Sequence, residues 1–175
     1  MNRRILVLAL GPSIVALLLL NPAQTTALEP SNASSVIELD SSPGSGTTHC
    51  PFGGVAADSV NKPDATRTSG FTVPARRVLV LTDVEFSAIA AGLPGNMITF
   101  TLARETSGAI NQINSDISAT TGLDGAADAR LSLRGAIVKS GVKLCVQCFD
   151  HSTHGLIANP ADCRATIHGF LANDS

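Results

Sequence analysis

Met97-Ile98-Thr99-Phe100-Thr101-Leu102-Ala103-Arg104 alternates without a break. Ile98, Phe100 and Leu102 take one side, Thr99, Thr101 and Ala103 the other. A period of two marks a strand with one buried face, because successive Cβ atoms of an extended chain point to opposite sides. The same period returns downstream. Leu131 and Leu133 oppose Arg130, Ser132 and Arg134, and Ala136-Ile137-Val138 carries that strand to a turn at Lys139-Ser140-Gly141. Val142, Leu144, Val146 and Cys148 make the next inward set, and Cys163, Ala165, Ile167 and Leu171 the last. Upstream, Val78-Leu79-Val80-Leu81 is continuously apolar, as in a strand buried on both faces. A turn at Pro74-Ala75-Arg76-Arg77 is expected to join it to a short strand at Phe71-Thr72-Val73.

Between these runs the chain is punctuated rather than helical. Gly92-Leu93-Pro94-Gly95-Asn96 reads as a loop, and residues 49–70, rich in Gly, Asp, Asn, Pro and Thr, read as loop-like. Ile110, Ile113 and Ile117 have helical spacing and allow one short helix. Several short strands with turns between them, and no alternation of strand with helix, predict an all-β fold. Its form is expected to be an antiparallel β-sandwich or jelly roll.

The N-terminal end reads differently. Arg3 and Arg4 precede an apolar run from Ile5 to Leu20, and Thr25 and Ala27 place small residues at a cleavage site before Leu28. This is the three-part layout of a secretory signal. Gly11-Pro12 interrupts the run, which argues against an uncleaved anchor of ~20 apolar residues. The expected organisation is a signal peptide over 1–27, a Ser/Pro/Gly-rich linker over 28–48 and one domain over 49–175. Within the linker, Val36-Ile37-Glu38-Leu39 is an apolar island that fits a first edge strand. Cleavage after Ala27 leaves 148 of the 175 residues, long enough for a real core. The destination is secretion, or the periplasm in a Gram-negative bacterium.

Composition excludes partners more readily than it names them. Without Arg3 and Arg4 there are 10 basic against 14 acidic residues, a balance of −4. That charge disfavours nucleic acid and anionic membrane surfaces. The chain has 6 Phe but no Trp and no Tyr, so the ring platforms used for stacking bases or sugars are scarce.

Phe71-Thr72-Val73-Pro74-Ala75 followed by Val78-Leu79-Val80-Leu81-Thr82-Asp83-Val84 resembles a recurring pattern of small secreted bacterial β-sandwich proteins of unassigned function. Ile137-Val138-Lys139-Ser140-Gly141-Val142-Lys143-Leu144-Cys145-Val146 and Ile167-His168-Gly169-Phe170-Leu171 are similar to their final strands. The resemblance covers roughly the latter two-thirds of the mature chain. It implies a fold and a compartment, and brings no catalytic residues. The chain departs from the pattern at Arg76, where a turn glycine would sit comfortably.

Cys50, Cys145, Cys148 and Cys163 form an even set, which in an oxidising compartment reads as two disulfides with three possible pairings. Residues three apart on a strand lie ~10 Å apart and face opposite ways, beyond the ~7 Å reach of a disulfide. Cys145 and Cys148 therefore need separate partners. Cys148 shares the inward register with Cys163, so the expected pairs are Cys148–Cys163 and Cys50–Cys145. A redox Cys-x-x-Cys site belongs at a helix N-terminus, whereas this pair sits inside an alternating run.

The remaining chemistry is concentrated in Asp150-His151-Ser152-Thr153-His154. Asp150, His151 and His154, with Cys148 and Asp162 nearby, offer a zinc-type ligand set, yet no helix is expected there to aim the two histidines together. The plain alternative is a polar loop between two strands. His49 adjoins Cys50, but a disulfide would consume that thiol. No Gly-x-Ser-x-Gly elbow occurs. The leading expectation is a non-catalytic exported module with a structural, assembly or binding role, without cofactor, and with self-assembly or a protein as possible partner. The alternative is a metal-binding protein or metal-assisted hydrolase built on Cys148 to His154.

Overall fold

A computed structural model describes residues 36–41, 49–50, 54–61, 67–89, 94–106, 109–114, 116–157 and 161–174. The signal segment over 1–27 lies outside these residues, as does the linker on either side of its apolar island. The described residues form thirteen strands, in chain order β1 (Val36–Asp40), β2 (His49–Cys50), β3 (Gly54–Ala56), β4 (Ser59–Asn61), β5 (Arg67–Thr68), β6 (Arg77–Ile89), β7 (Met97–Thr106), β8 (Ala109–Gln112), β9 (Ile117–Thr120), β10 (Ala126–Lys139), β11 (Lys143–Asp150), β12 (Gly155–Leu156) and β13 (Cys163–Asn173). Among the described residues there is no helix.

The strands form two antiparallel sheets that share one core, the arrangement of a β-sandwich. The first sheet runs β10-β6-β13-β1-β4-β5. The second runs β2-β3-β11-β7-β8, with β12 continuing the line of β3 along β11 and β9 continuing that of β8 along β7. The alternation read from the sequence supplies both inner faces. Leu39, Leu79, Leu81, Val84, Phe86, Val138, Ala165 and Ile167 come from the first sheet, and Ile98, Phe100, Leu102, Leu144 and Val146 from the second. Phe86 and Phe100 stack across the gap with ring centroids 5.3 Å apart, an offset aromatic contact that adds to the burial of both rings.

The continuous run Val78 to Leu81 is buried on both faces, as its composition requires. Leu79 and Leu81 face the main core, while Val78 and Val80 join Phe170 and Ala172 in a second cluster on the outer face. Pairing of β6 to β13 slips between His168 and Gly169, and pairing to β10 slips between Ser132 and Ala136. Arg134 and Gly135 take φ of 50° and 82° to accommodate the second irregularity.

The sequence expectations need correction in four places. The Ile110, Ile113 and Ile117 spacing does not make a helix; Ala109–Gln112 and Ile117–Thr120 are strands on β7. Between them the Asn114 side chain accepts the Leu102 N–H at 2.6 Å, and Ile113 N–H bonds the Leu102 carbonyl. Bonding to an existing strand thus replaces the internal ladder a short helix would need. Residues 49–70 are not wholly loop, since β2, β3, β4 and β5 lie there. Val36–Asp40 is not an edge strand: it pairs with β13 on one side and β4 on the other. Phe71–Val73 makes no ladder. It is tied by Phe71 N–H to the Asp58 carbonyl, and Val73 plugs the core instead.

Candidate functional site

Two disulfides close the molecule. Cys148–Cys163 joins β11 to β13 and so links one sheet to the other inside the main core. Cys50–Cys145 joins β2 to β11 on the outer face of the second sheet, buried with Ala56 and Ala103. These are the pairs that strand register selects, and they are characteristic of an oxidising environment.

The polar stretch after β11 is a tight turn. The Asp150 carboxylate is buried, and its Oδ1 accepts the Ser152 N–H at 2.8 Å and the Ser152 hydroxyl at 2.7 Å. Burial alone would raise the Asp150 carboxyl, but these bonds and those of Thr153 outweigh it and hold it below the ordinary value of 3.8. The His151 Nε2 lies 2.8 Å from the Thr99 hydroxyl, which in turn meets Ser118 at 2.8 Å. The His151 ring also stands edge-on to Phe149. His154 is exposed, with φ of 55°. Asp162 sits at the far end of the connection, its carbonyl bonded to Ile89 N–H. The turn therefore does not bring Asp150, His151 and His154 together as a ligand set. Among the described residues, the one grouping of three potential metal ligands is Cys50, Glu105 and Cys145, whose sulfurs already form a disulfide.

A second polar region crosses the outer face of the first sheet. The register aligns Ser132, Asp83, His168, Glu38 and Asn61 on β10, β6, β13, β1 and β4. His168 Nδ1 lies 2.9 Å from Asp83 and its Nε2 lies 3.5 Å from Glu38. Arg130 bridges Asp83 and Glu85, and Asn61 donates to Glu38 and Asp40 at 2.8 Å each. Burial raises the Asp83 carboxyl, yet bonds from Thr82 and His168 and the charges of His168 and Arg130 bring it below its ordinary value. Each group here is matched by its neighbours across strands, which is how a solvated sheet face is stabilised.

The third feature was not legible in the sequence. At one end of the sandwich the sheets part around an apolar cavity of about 150 Å³. Leu39, Leu79 and Val138 line it from the first sheet, Ala56 and Leu144 from the second, and Ala57, Phe71, Val73 and Val142 from connecting segments. Asp58 and Lys143 are its charged lining residues. The small side chain of Ala57, which packs in the main core, leaves space that a larger one would fill.

No family model matches the chain, and no curated protein matches its sequence. What the site does must be read from its own residues. The turn at Asp150 and the rows of the first sheet spend their polar groups on internal hydrogen bonds and ion pairs. The cavity has walls suited to an apolar guest.

Proposed function

We propose that this chain is an exported, non-catalytic β-sandwich module that binds a small apolar group in the cavity between the ends of its sheets. The signal-like segment over 1–27, the two disulfides and the likeness to small secreted bacterial β-sandwich proteins support work outside the cytoplasm. The observation that carries the binding role is the cavity itself. It opens to solvent on one side, while its inner wall is formed by buried apolar residues. An apolar space of this size holds a guest of roughly benzene size.

Proton–carbon NMR of the purified protein titrated with benzyl alcohol tests this reading. Shifts confined to the methyl groups of Leu39, Ala57, Val73, Leu79 and Val138 are expected. Shifts scattered over the outer faces, or none at all, would refute it.

A further inference from the structure

We infer that a second copy of this chain docks on the free edge of β10, so that the first sheets of two molecules join into one continuous sheet. The contact uses residues 126–132 and stands whether or not the cavity takes a guest. Among the described residues β10 ends the first sheet, with β6 as its ladder partner on one side and no strand on the other. The other strands at sheet ends are short: β2, β5 and β12 have 2 residues each, β8 and β9 have 4. β10 has 14. A long open edge offers a row of main-chain donors and acceptors to another strand, and proteins commonly guard it with a bulge, a proline or an inward charge. The irregularity at Arg134 and Gly135 guards the second half of β10. Over 126–133 there is no proline, and the inward residues Ala127, Ala129, Leu131 and Leu133 carry no charge.

Ladder geometry fixes which main-chain groups face outward. Ile89 N–H bonds the Asp162 carbonyl, away from β10, so the Ala126–Ile89 pair is not a hydrogen-bonded one. Bonded and non-bonded pairs alternate along an antiparallel ladder. Asp128, Arg130 and Ser132 therefore turn their N–H and C=O groups to the open edge as well. Ala126 spends its own on Asp124 and Gly122 in the preceding turn, which leaves the other three for a partner. Across β6 these residues align with Ser87, Glu85 and Asp83, on the outer face of the sheet. Charge then selects the alignment. With Ala129 on a twofold axis, Asp128 lies opposite Arg130 of the other copy, and Arg130 opposite its Asp128. Each such pair exchanges both main-chain hydrogen bonds and sets opposite charges side by side. Asp128 is exposed and has no ion pair among the described residues, while the exposed Arg130 is held in place by Asp83 and Glu85 of its own sheet. Sliding the copies until Arg130 meets Arg130 keeps the hydrogen bonds but opposes like charges. On the inner side the alignment brings the half-buried Leu131 to Ala127 of the other copy, beside a groove lined by Ile113, Ile117 and Leu133.

Sedimentation equilibrium of the purified protein at low salt tests the pairing. A reversible monomer–dimer equilibrium is expected, moving to dimer as the concentration rises. Asp128→Arg and Arg130→Asp each set like charges opposite one another in this alignment, and each alone is expected to weaken dimerisation about tenfold or more. Mixed in equal amounts, the two variants regain opposite charges at both pairs, and the mixture is expected to dimerise as the unaltered protein does. Asp128→Pro removes an outward N–H without touching the ladder to β6, so it is expected to leave a folded monomer. It carries the test should Arg130→Asp fail to fold. Unaltered protein that stays monomeric at every concentration, or that forms assemblies larger than two, would overturn the proposal. So would a dimer that both Asp128→Arg and Asp128→Pro leave intact, because its contact then lies elsewhere on the molecule.

Discussion

Arg76 sits at the bend before β6 with φ of 61°, a left-handed conformation that crowds the Cβ of any L-residue. Its side chain is exposed, and its carbonyl accepts the Asp174 N–H at 3.0 Å, a bond any residue can make. Arg76→Gly is therefore expected to stabilise the protein by up to ~1 kcal/mol, the strain relieved less the added freedom of the unfolded chain. Arg76→Val should cost more than it gains, and urea unfolding midpoints distinguish the two. Asp150 makes the opposite kind of contribution, holding a turn by accepting two bonds from Ser152. Asp150→Ala is expected to destabilise by about 1–2 kcal/mol. The sign of the pH dependence follows from the depressed carboxyls of Asp150 and Asp83. A carboxyl lowered on folding contributes fully above its unfolded pKa and loses that contribution as pH falls through the folded value. Stability should accordingly decline as the pH drops below about 4, where an ordinary carboxyl begins to protonate. Asp150→Asn, which keeps an acceptor without the charge, should flatten that decline in acid unfolding curves.

At the scale of elements, the two disulfides have different reach. Cys148–Cys163 closes a separation of 15 residues and Cys50–Cys145 one of 95. In the chain-entropy model these correspond to ~3 and ~4.6 kcal/mol. Replacing Cys50 and Cys145 by Ala should therefore destabilise more than replacing Cys148 and Cys163, by about 1.6 kcal/mol in that model. Denaturant titrations of the two double variants measure it. The β6–β13 pairing has its own weak point at Gly169, where an added Cβ would run into the Val80 carbonyl oxygen. That atom is backbone and cannot swing aside, so Gly169→Ala is expected to cost about 1–3 kcal/mol through overpacking. An unchanged midpoint would show that the two strands separate freely at this slip in register.

For the molecule as a whole, the gap between the sheets ties the proposed binding role to stability. Filling it through Ala57→Leu is expected to raise the unfolding free energy by about 1–2 kcal/mol, as cavity volume is replaced by packed atoms. The same variant should lose the ligand-induced rise in Tm. A stabilised variant that still responds to ligand would place the guest elsewhere. The local period of two along 97–104, 130–138, 142–148 and 163–171 determined the strands, their inward faces and even the cysteine pairs, because strand geometry turns sequence parity directly into facing. The Arg3-to-Ala27 segment likewise carries its expectation of export in composition alone. Tertiary structure alone decided the rest. It turned the 110–117 stretch from helical spacing into two strands by offering β7 as a partner, placed Val36–Asp40 inside a sheet, and matched His168 to Asp83 and Glu38 on separate strands. The cavity is the extreme case. Leu39, Ala57, Phe71 and Leu144 are scattered along the chain, and each reads locally as ordinary core or loop. An empty space belongs to no residue and leaves no period in the sequence; it exists only where two packed sheets diverge.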